Sequence, residues 1–374
     1  MKNIVLIIFF FFASSCNSQN SKFSYKNVNR KLVYKVDVKK EIARKQFINA
    51  LAYLPKNYLK DGTVDYTECI QKAIDENRNI ILPNFPILIS EKGLSLKSNS
   101  NIYFDSKSKL IIASNSLPKY QILDVRNLEN VVIYNPRLVG DKMKHKGVDG
   151  EWGMGINILS SKNITIYNPE ISNCWGDGIY IGVLSRDPEN IVIKGGLLDN
   201  NRRNGISIIS GKNINVSNIV VSNTNGTLPM AGIDVEPNEN KNVLEKINLT
   251  NINTFNNGDA GIALILLNMI GKQFHEVDVN INFHRDYFSK YAVIMGGSKT
   301  GYKYPEGIKP LGGAIKIKNS QWNDNSDKVS IAADFKYMTK YHFSNLKVRT
   351  NGKDDLEETE NRKKKIKERG FFVD

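Results

Sequence analysis

The sequence predicts an all-β chain, a parallel β-helix solenoid entered through a short N-terminal capping helix. Two interleaved ladders of short apolar runs predict it. One ladder reads NIYF at 101, NVVI at 130, NITI at 163, NIVI at 190, NINV at 213 and KINL at 246, with gaps of 29, 33, 27, 23 and 33 residues. The other reads GINIL at 155, GIYIG at 178, GISII at 205, GIDVE at 232 and GIALI at 261, with gaps of 23, 27, 27 and 29. Two ladders with one shared period are a repeat architecture. A period of this size holds three short strands and their turns and leaves little room for helix. One such turn cannot bury its own apolar face, so each must stack on the next. Leucine-rich repeats would need a regular leucine spacing that is absent, and a propeller would need longer, four-stranded periods.

The elements follow in chain order. Residues 1–15 read as a secretory signal: Lys2, then an apolar run from Ile4 to Phe12, then small residues up to Cys16. The run is too short to span a membrane, and no other stretch is long and apolar enough to do so. The small-small-Cys ending resembles the lipobox of bacterial lipoproteins, which implies lipidation of Cys16, a membrane anchor, and a chain exported to the cell surface or periplasm. Residues 16–60 are polar and lysine-rich and are expected to be a tether and lead-in. Thr67 is expected to cap a helix whose Ile70, Ala73 and Ile74 recur at helical spacing, and IILP at 80 opens a strand. The solenoid is expected over 61–345. The tail, 346–374, turns from acidic to basic and is expected to be a solvated terminus.

The formal net charge of +14 favours anionic partners, although the basic residues are spread along the chain. No basic stripe with interleaved aromatics and no phosphate-cradling glycine loop appears, which argues against nucleic acid. Apart from Cys16, only Cys69 and Cys174 remain, in unrelated contexts and without metal-ligand spacing, so both are expected to be small core fillers. Asn163, Asn173, Asn190, Asn200, Asn213, Asn223 and Asn256 recur at turns, where asparagine tolerates left-handed backbone and its amides stack.

The segment DGTVDYTECIQKAID with its following ILP, and the repeats in NNRRNGISIISGKNINVSNIVVSNTNGTLPMAGIDVEPN, resemble the pectate-lyase-like superfamily. The resemblance covers about residues 60–320. It implies a single-stranded right-handed parallel β-helix of the carbohydrate-active kind. It does not choose a reaction, because the superfamily hosts lyases, hydrolases, epimerases and non-enzymatic spikes.

Alternation along the Gly-Ile ladder separates core from face. Ile156, Ile179, Ile206, Ile233 and Ile262 align inward, as do Ile158, Ile181, Ile208, Val235 and Leu264. Asn157, Tyr180, Ser207, Asp234 and Ala263 point outward, followed two residues on by Leu159, Gly182, Ile209, Glu236 and Ile265. Adjacent turns lie about 4.8 Å apart, so Tyr180, Arg203, Ser207, Asp234 and Glu236 should share one patch, with Asp177 at its edge.

Asp234 and Glu236 are expected to stand exposed, with carboxyls about 5.5–9 Å apart, as a glycoside-hydrolysing pair requires. Arg203 would hold an anionic sugar substituent or keep a carboxylate ionised. The bland reading of Arg203 is a surface ion pair with Asp234. Arg202, Ser207, Asn157, Asp259, Trp152, Trp175 and His145 complete the candidate substrate contacts. Trp152 and Trp175 either stack on sugar rings or pack under loops, and His145 would reach over from the loop GDKMKHKGVDGEWG.

The first function class is a polysaccharide-degrading glycoside hydrolase, which needs no cofactor. A polysaccharide lyase or uronate epimerase on the same face is its alternative. Tyr180 would then be the base or acid, Arg203 or Arg202 would neutralise the uronate, and Asp177, Asp234 and Glu236 would admit Ca²⁺. The second class is a non-catalytic glycan-binding surface lipoprotein. The sequence leaves the oligomeric state open.

Overall fold

The computed structural model describes residues 23–297, 303–304, 306–326, 330–331 and 337–374. The expected signal and Cys16 lie outside the described residues. The chain forms the expected right-handed parallel β-helix. Nine short strands stack into one sheet, beginning with Leu94–Ser95 and Lys119–Arg126 and ending with Ser330–Ile331. The other two strands of each turn belong to a larger sheet that wraps the remaining faces.

Register follows the ladders. Ile156 pairs with Ile179, Ile179 with Ile206, Ile206 with Ile233 and Ile233 with Ile262. These isoleucines, and Ile158, Ile181, Ile208, Val235 and Leu264 beside them, are fully buried. Each such side chain contributes roughly 1.5–3 kcal/mol by leaving water.

Corners are set by asparagine. Asn130, Asn163, Asn190 and Asn213 all have φ between 54° and 58°, in the left-handed region. Their amides form one file, with Nδ2 of each donating to Oδ1 of the turn before at 2.8–2.9 Å. The file begins at Asn99, φ 60°, and not at Asn101. Ile102 pairs with Ile133, so the first repeat is 31 residues and starts two residues earlier than the apolar pattern suggests. The physical marker of each turn is the left-handed corner, which an apolar motif cannot reveal.

Both ends are closed. Helix Thr67–Glu76 lays Ile70, Ala73 and Ile74 over the first turns. Its N-cap position is Tyr66, and Asp65 Oδ1 accepts from the Thr67 backbone N–H at 2.8 Å, so Thr67 is the first helical residue and not the cap. The charged tail is not a solvated terminus. Helix Leu356–Glu368 buries Ile366, Phe371 follows into the core, and Phe372–Val373 pairs in parallel with His342–Phe343. Most of its charges face water, while Ile366 and Arg362, whose guanidinium lies over the Trp322 ring, turn toward the last turn, a division that charge patterning alone does not disclose.

Residues 24–49 are not a loose tether either. They run along the flank of the solenoid, from the turn of Asn256 back to the turn of Ile80. Of the cysteines, Cys174 is a buried filler as expected, and Cys69 is half-buried.

Candidate active site

The site is built on three consecutive turns of the nine-stranded sheet. The residue before each ladder glycine links one turn to the next. Asp177 Oδ1 accepts from the Asn204 backbone N–H at 3.0 Å, and Asn204 Oδ1 accepts from the Ala231 N–H at 3.0 Å. This inter-turn chain fixes the corner from which Arg203 projects.

Arg203 is the centre. Its Nη1 lies 3.2 Å from Asp177 Oδ2, its Nη2 3.5 Å from Glu236 and its Nε 3.8 Å from Glu151. Its side chain is only 13% exposed. Ser207 Oγ donates to Asp177 Oδ2 at 2.8 Å, and Asn204 Nδ2 donates to Ser207 Oγ and to Asp234 Oδ2, both at 3.0 Å. Arg203 therefore serves three carboxyl groups and has no charge to spare for an anionic sugar. The expected surface ion pair with Asp234 alone is replaced by this shared clamp.

One expectation for the acidic pair is overturned. Asp234 is not exposed: Asp177, Asp234 and Ser207 are all fully buried. Asp234 and Glu236 act on one another's proton. Burial pushes Asp234 well above the carboxylate range, and the Glu236 charge beside it adds to the rise. Burial also raises Glu236, against the pull of Arg203. Their mutual contact raises Asp234 and lowers Glu236, so Asp234 is the member that holds its proton more tightly. Asp177 is likewise raised by burial and drawn back by Arg203. Glu236, 27% exposed, is the member that meets solvent.

Sequence reasoning missed Glu151, Asn204 and Asp141. Asn204 was findable, because it occupies the position before the ladder glycine that Asp177 holds one turn earlier. Glu151 carried no periodic signal, because it comes from the loop 140–151. That loop is pinned by His145, whose Nδ1 lies 2.8 Å from Asp141 Oδ2 and whose ring stacks on Trp175 at 3.9 Å. Tyr120 donates to the other Asp141 oxygen. The His145 side chain is fully buried, so it anchors the loop and does not reach the patch. Trp175 packs under that loop, with the Arg202 guanidinium 3.8 Å from its ring and its Nε1–H donating to the Asp149 carbonyl. It offers no free face comparable to that of Trp152, which is 47% exposed at the rim.

Tyr180 adjoins the cluster: it lies in register between Asn157 and Ser207, and burial, with the Asp177 charge next, raises its hydroxyl. Asn157 is buried and donates to Asp124 at 2.8 Å. Asp259 sits 3.9 Å from Lys290. A Ca²⁺ ion here would have to share these carboxylates with Arg203, Ser207 and Asn204, and the guanidinium already supplies positive charge among them.

The fold and this face define the class: a right-handed parallel β-helix protein with a carboxylate cluster on its outer sheet. No family model matches the chain. It is similar to two Bacillus subtilis (strain 168) proteins. The SPbeta prophage-derived uncharacterized protein YorA is 29% identical over 128 residues, 30% of this chain and 22% of that one. Uncharacterized protein YclG is 25% identical over 212 residues, 49% of this chain and 36% of that one. The matched region thus spans well under half of either relative. Among solved structures, the tailspike protein gp49 of Acinetobacter baumannii bacteriophage Fri1, a capsular polysaccharide depolymerase, superposes with a TM-score of 0.58 at 16% identity over 81% of this chain and 54% of that one. The Streptococcus pneumoniae surface adhesin PfbA gives 0.54 at 14% identity, covering 82% and 80%. An iota-carrageenase complexed to iota-carrageenan fragments gives 0.54 at 13%, covering 80% and 77%.

Proposed function

We propose that the chain is a carbohydrate-active enzyme, a glycoside hydrolase acting on a polysaccharide laid across the nine-stranded sheet. One observation carries the reading: Glu236 is a half-buried carboxyl whose pKa is raised by burial, held 3.5 Å from Arg203 and coupled to the buried Asp234 behind it. A general acid needs a carboxyl with a raised pKa that still reaches substrate, and here Glu236 draws the proton it delivers from Asp234. Asp234 is the proton reserve beneath it. Glu151 is the second carboxyl. Both glutamates lie within 4 Å of the Arg203 guanidinium, so their carboxyls are at most about 10 Å apart, a bound compatible with the separations glycoside hydrolysis uses. In this role Glu151 activates the attacking water, and Asp177 and Ser207 position Arg203. Two of the solved structures of this fold are described as a capsular polysaccharide depolymerase and a carrageenase, which supports a glycan substrate.

The lyase and epimerase alternative is less well supported, because it needs a cation free to neutralise a uronate: Arg203 is fully engaged with carboxylates, and Arg202 lies on the Trp175 ring and donates to the Gly150 carbonyl. A binding role, as an adhesin of this fold suggests, needs no protonated carboxyl. The test is a panel of neutral and acidic polysaccharides, followed by new reducing ends and by ultraviolet absorbance of unsaturated products. Reducing ends without absorbance, abolished in Glu236→Gln, support hydrolysis. Absorbance supports a lyase, and binding without either product supports the adhesin reading.

A further inference from the structure

The N-terminal strap carries charge that the rest of the chain does not balance. Residues 26–45 hold eight lysines and arginines and two acidic residues. The backbone of this segment is fastened inward by corner asparagines. Val36 N–H donates to Asn168 Oδ1 at 2.7 Å while Asn168 Nδ2 donates to Val36 O at 3.0 Å. Lys26 and Asn223 repeat the same two-way pairing at 3.2 and 3.0 Å. The Tyr34 carbonyl accepts from Gly196, and the Ser24 carbonyl accepts from Asn256.

With the backbone turned inward, the basic side chains are left outward. Arg30, Lys31, Lys39, Lys40 and Arg44 are exposed, and none of them meets a carboxylate within 4 Å among the described residues. Lys35 is the member that is paired, with Glu170 at 2.8 Å. Phe23, Tyr25 and Tyr34 stand exposed among them. The strap crosses six turn-to-turn steps, so the segment runs about 29 Å along one flank.

We propose that this flank is a docking surface for anionic phospholipid headgroups. Exposed basic residues on a fixed backbone attract an anionic bilayer, and tyrosine and phenylalanine settle at its interface. The stripe begins ten residues after Cys16, the expected lipid attachment site, so chain order places it next to a membrane. A single lipid chain gives weak anchoring and a neighbouring basic patch strengthens it. The inference does not depend on the catalytic reading.

The test compares the full chain with a variant carrying Gln at positions 30, 31, 39, 40 and 44, in co-sedimentation with vesicles of phosphatidylcholine alone or with one third phosphatidylglycerol. Each basic residue near an anionic surface strengthens binding about fivefold. The variant is therefore expected to bind the anionic vesicles more than about 100-fold more weakly. Its binding to neutral vesicles and its thermal melt should be unchanged, because all five side chains are exposed. Equal binding of both proteins to anionic vesicles overturns the proposal. So does a loss confined to a soluble acidic glycan such as polygalacturonate, which would make the flank a glycan site.

Discussion

Asp234 is fully buried and Glu236, two residues on and just past the end of the same strand, meets solvent with Arg203 Nη2 3.5 Å away. Each carboxyl acts on the other's proton, so the pair, and not either residue alone, is the titrating unit.

That pair gives a pH dependence with a definite sign. The folded-state pKa values of Asp234, Glu236 and Asp177 lie above their ordinary values. Their stabilising contribution is full below the ordinary carboxylate range and is lost as pH rises through the raised values. Asp234→Asn keeps a donor to Glu236 and an acceptor for Asn204 without the titration. Urea denaturation across pH 4 to 8 is expected to show the variant gaining on the parent as pH rises, and a constant difference would refute this.

Glu236→Gln and Glu151→Gln should each lower turnover on the polysaccharide identified by the panel by about 10²–10⁴-fold, with the fold intact by circular dichroism. Full activity in Glu151→Gln would remove it from the proposed pair.

Arg203→Ala leaves Asp177 buried with its charge uncompensated. Breaking a buried pair in this way costs about 3–5 kcal/mol, readable as a shift in denaturation midpoint. Adding Asp177→Asn to the Arg203→Ala background should recover part of the loss, because the orphaned charge is gone. Additive losses would mean that the two groups do not compensate each other.

At Asn163, φ is 56° and both amide groups are used in the corner file. Asn163→Ala should cost more than Asn163→Gly by about 1–2 kcal/mol, the strain of left-handed backbone in a residue with a Cβ. Both variants lose the amide bonds, so equal thermal melts would show that the backbone conformation relaxes freely.

Ile366 is fully buried beneath the C-terminal helix. Ile366→Ala should cost about 2–5 kcal/mol. Unchanged stability in that variant would mean the charged tail is dispensable.

The repeat and its inward face were decided by the sequence alone. A Gly-Ile run every 23 to 29 residues places Ile233 and Val235 in the core, because a period-two strand stacked on its copies admits one burial pattern. The membership of Tyr180, Ser207, Asp234 and Glu236 in one face followed from the same arithmetic. What the repeat could not express lies at the corners and in the loops. Arg203 projects from a corner that Asp177 and Asn204 determine across turns, and Glu151 arrives from a non-repeating loop held by a buried histidine. Whether Asp234 is exposed, and which carboxyl keeps the proton, depends on how much water those corners exclude. The lysines of the strap look scattered in sequence and become one stripe only when the corner residues Asn168, Asn223 and Asn256 fasten their backbone. Local pattern sets which side of a strand a residue occupies. Desolvation and charge pairing depend on what other parts of the chain bring within a few ångströms, and only the tertiary structure decides that.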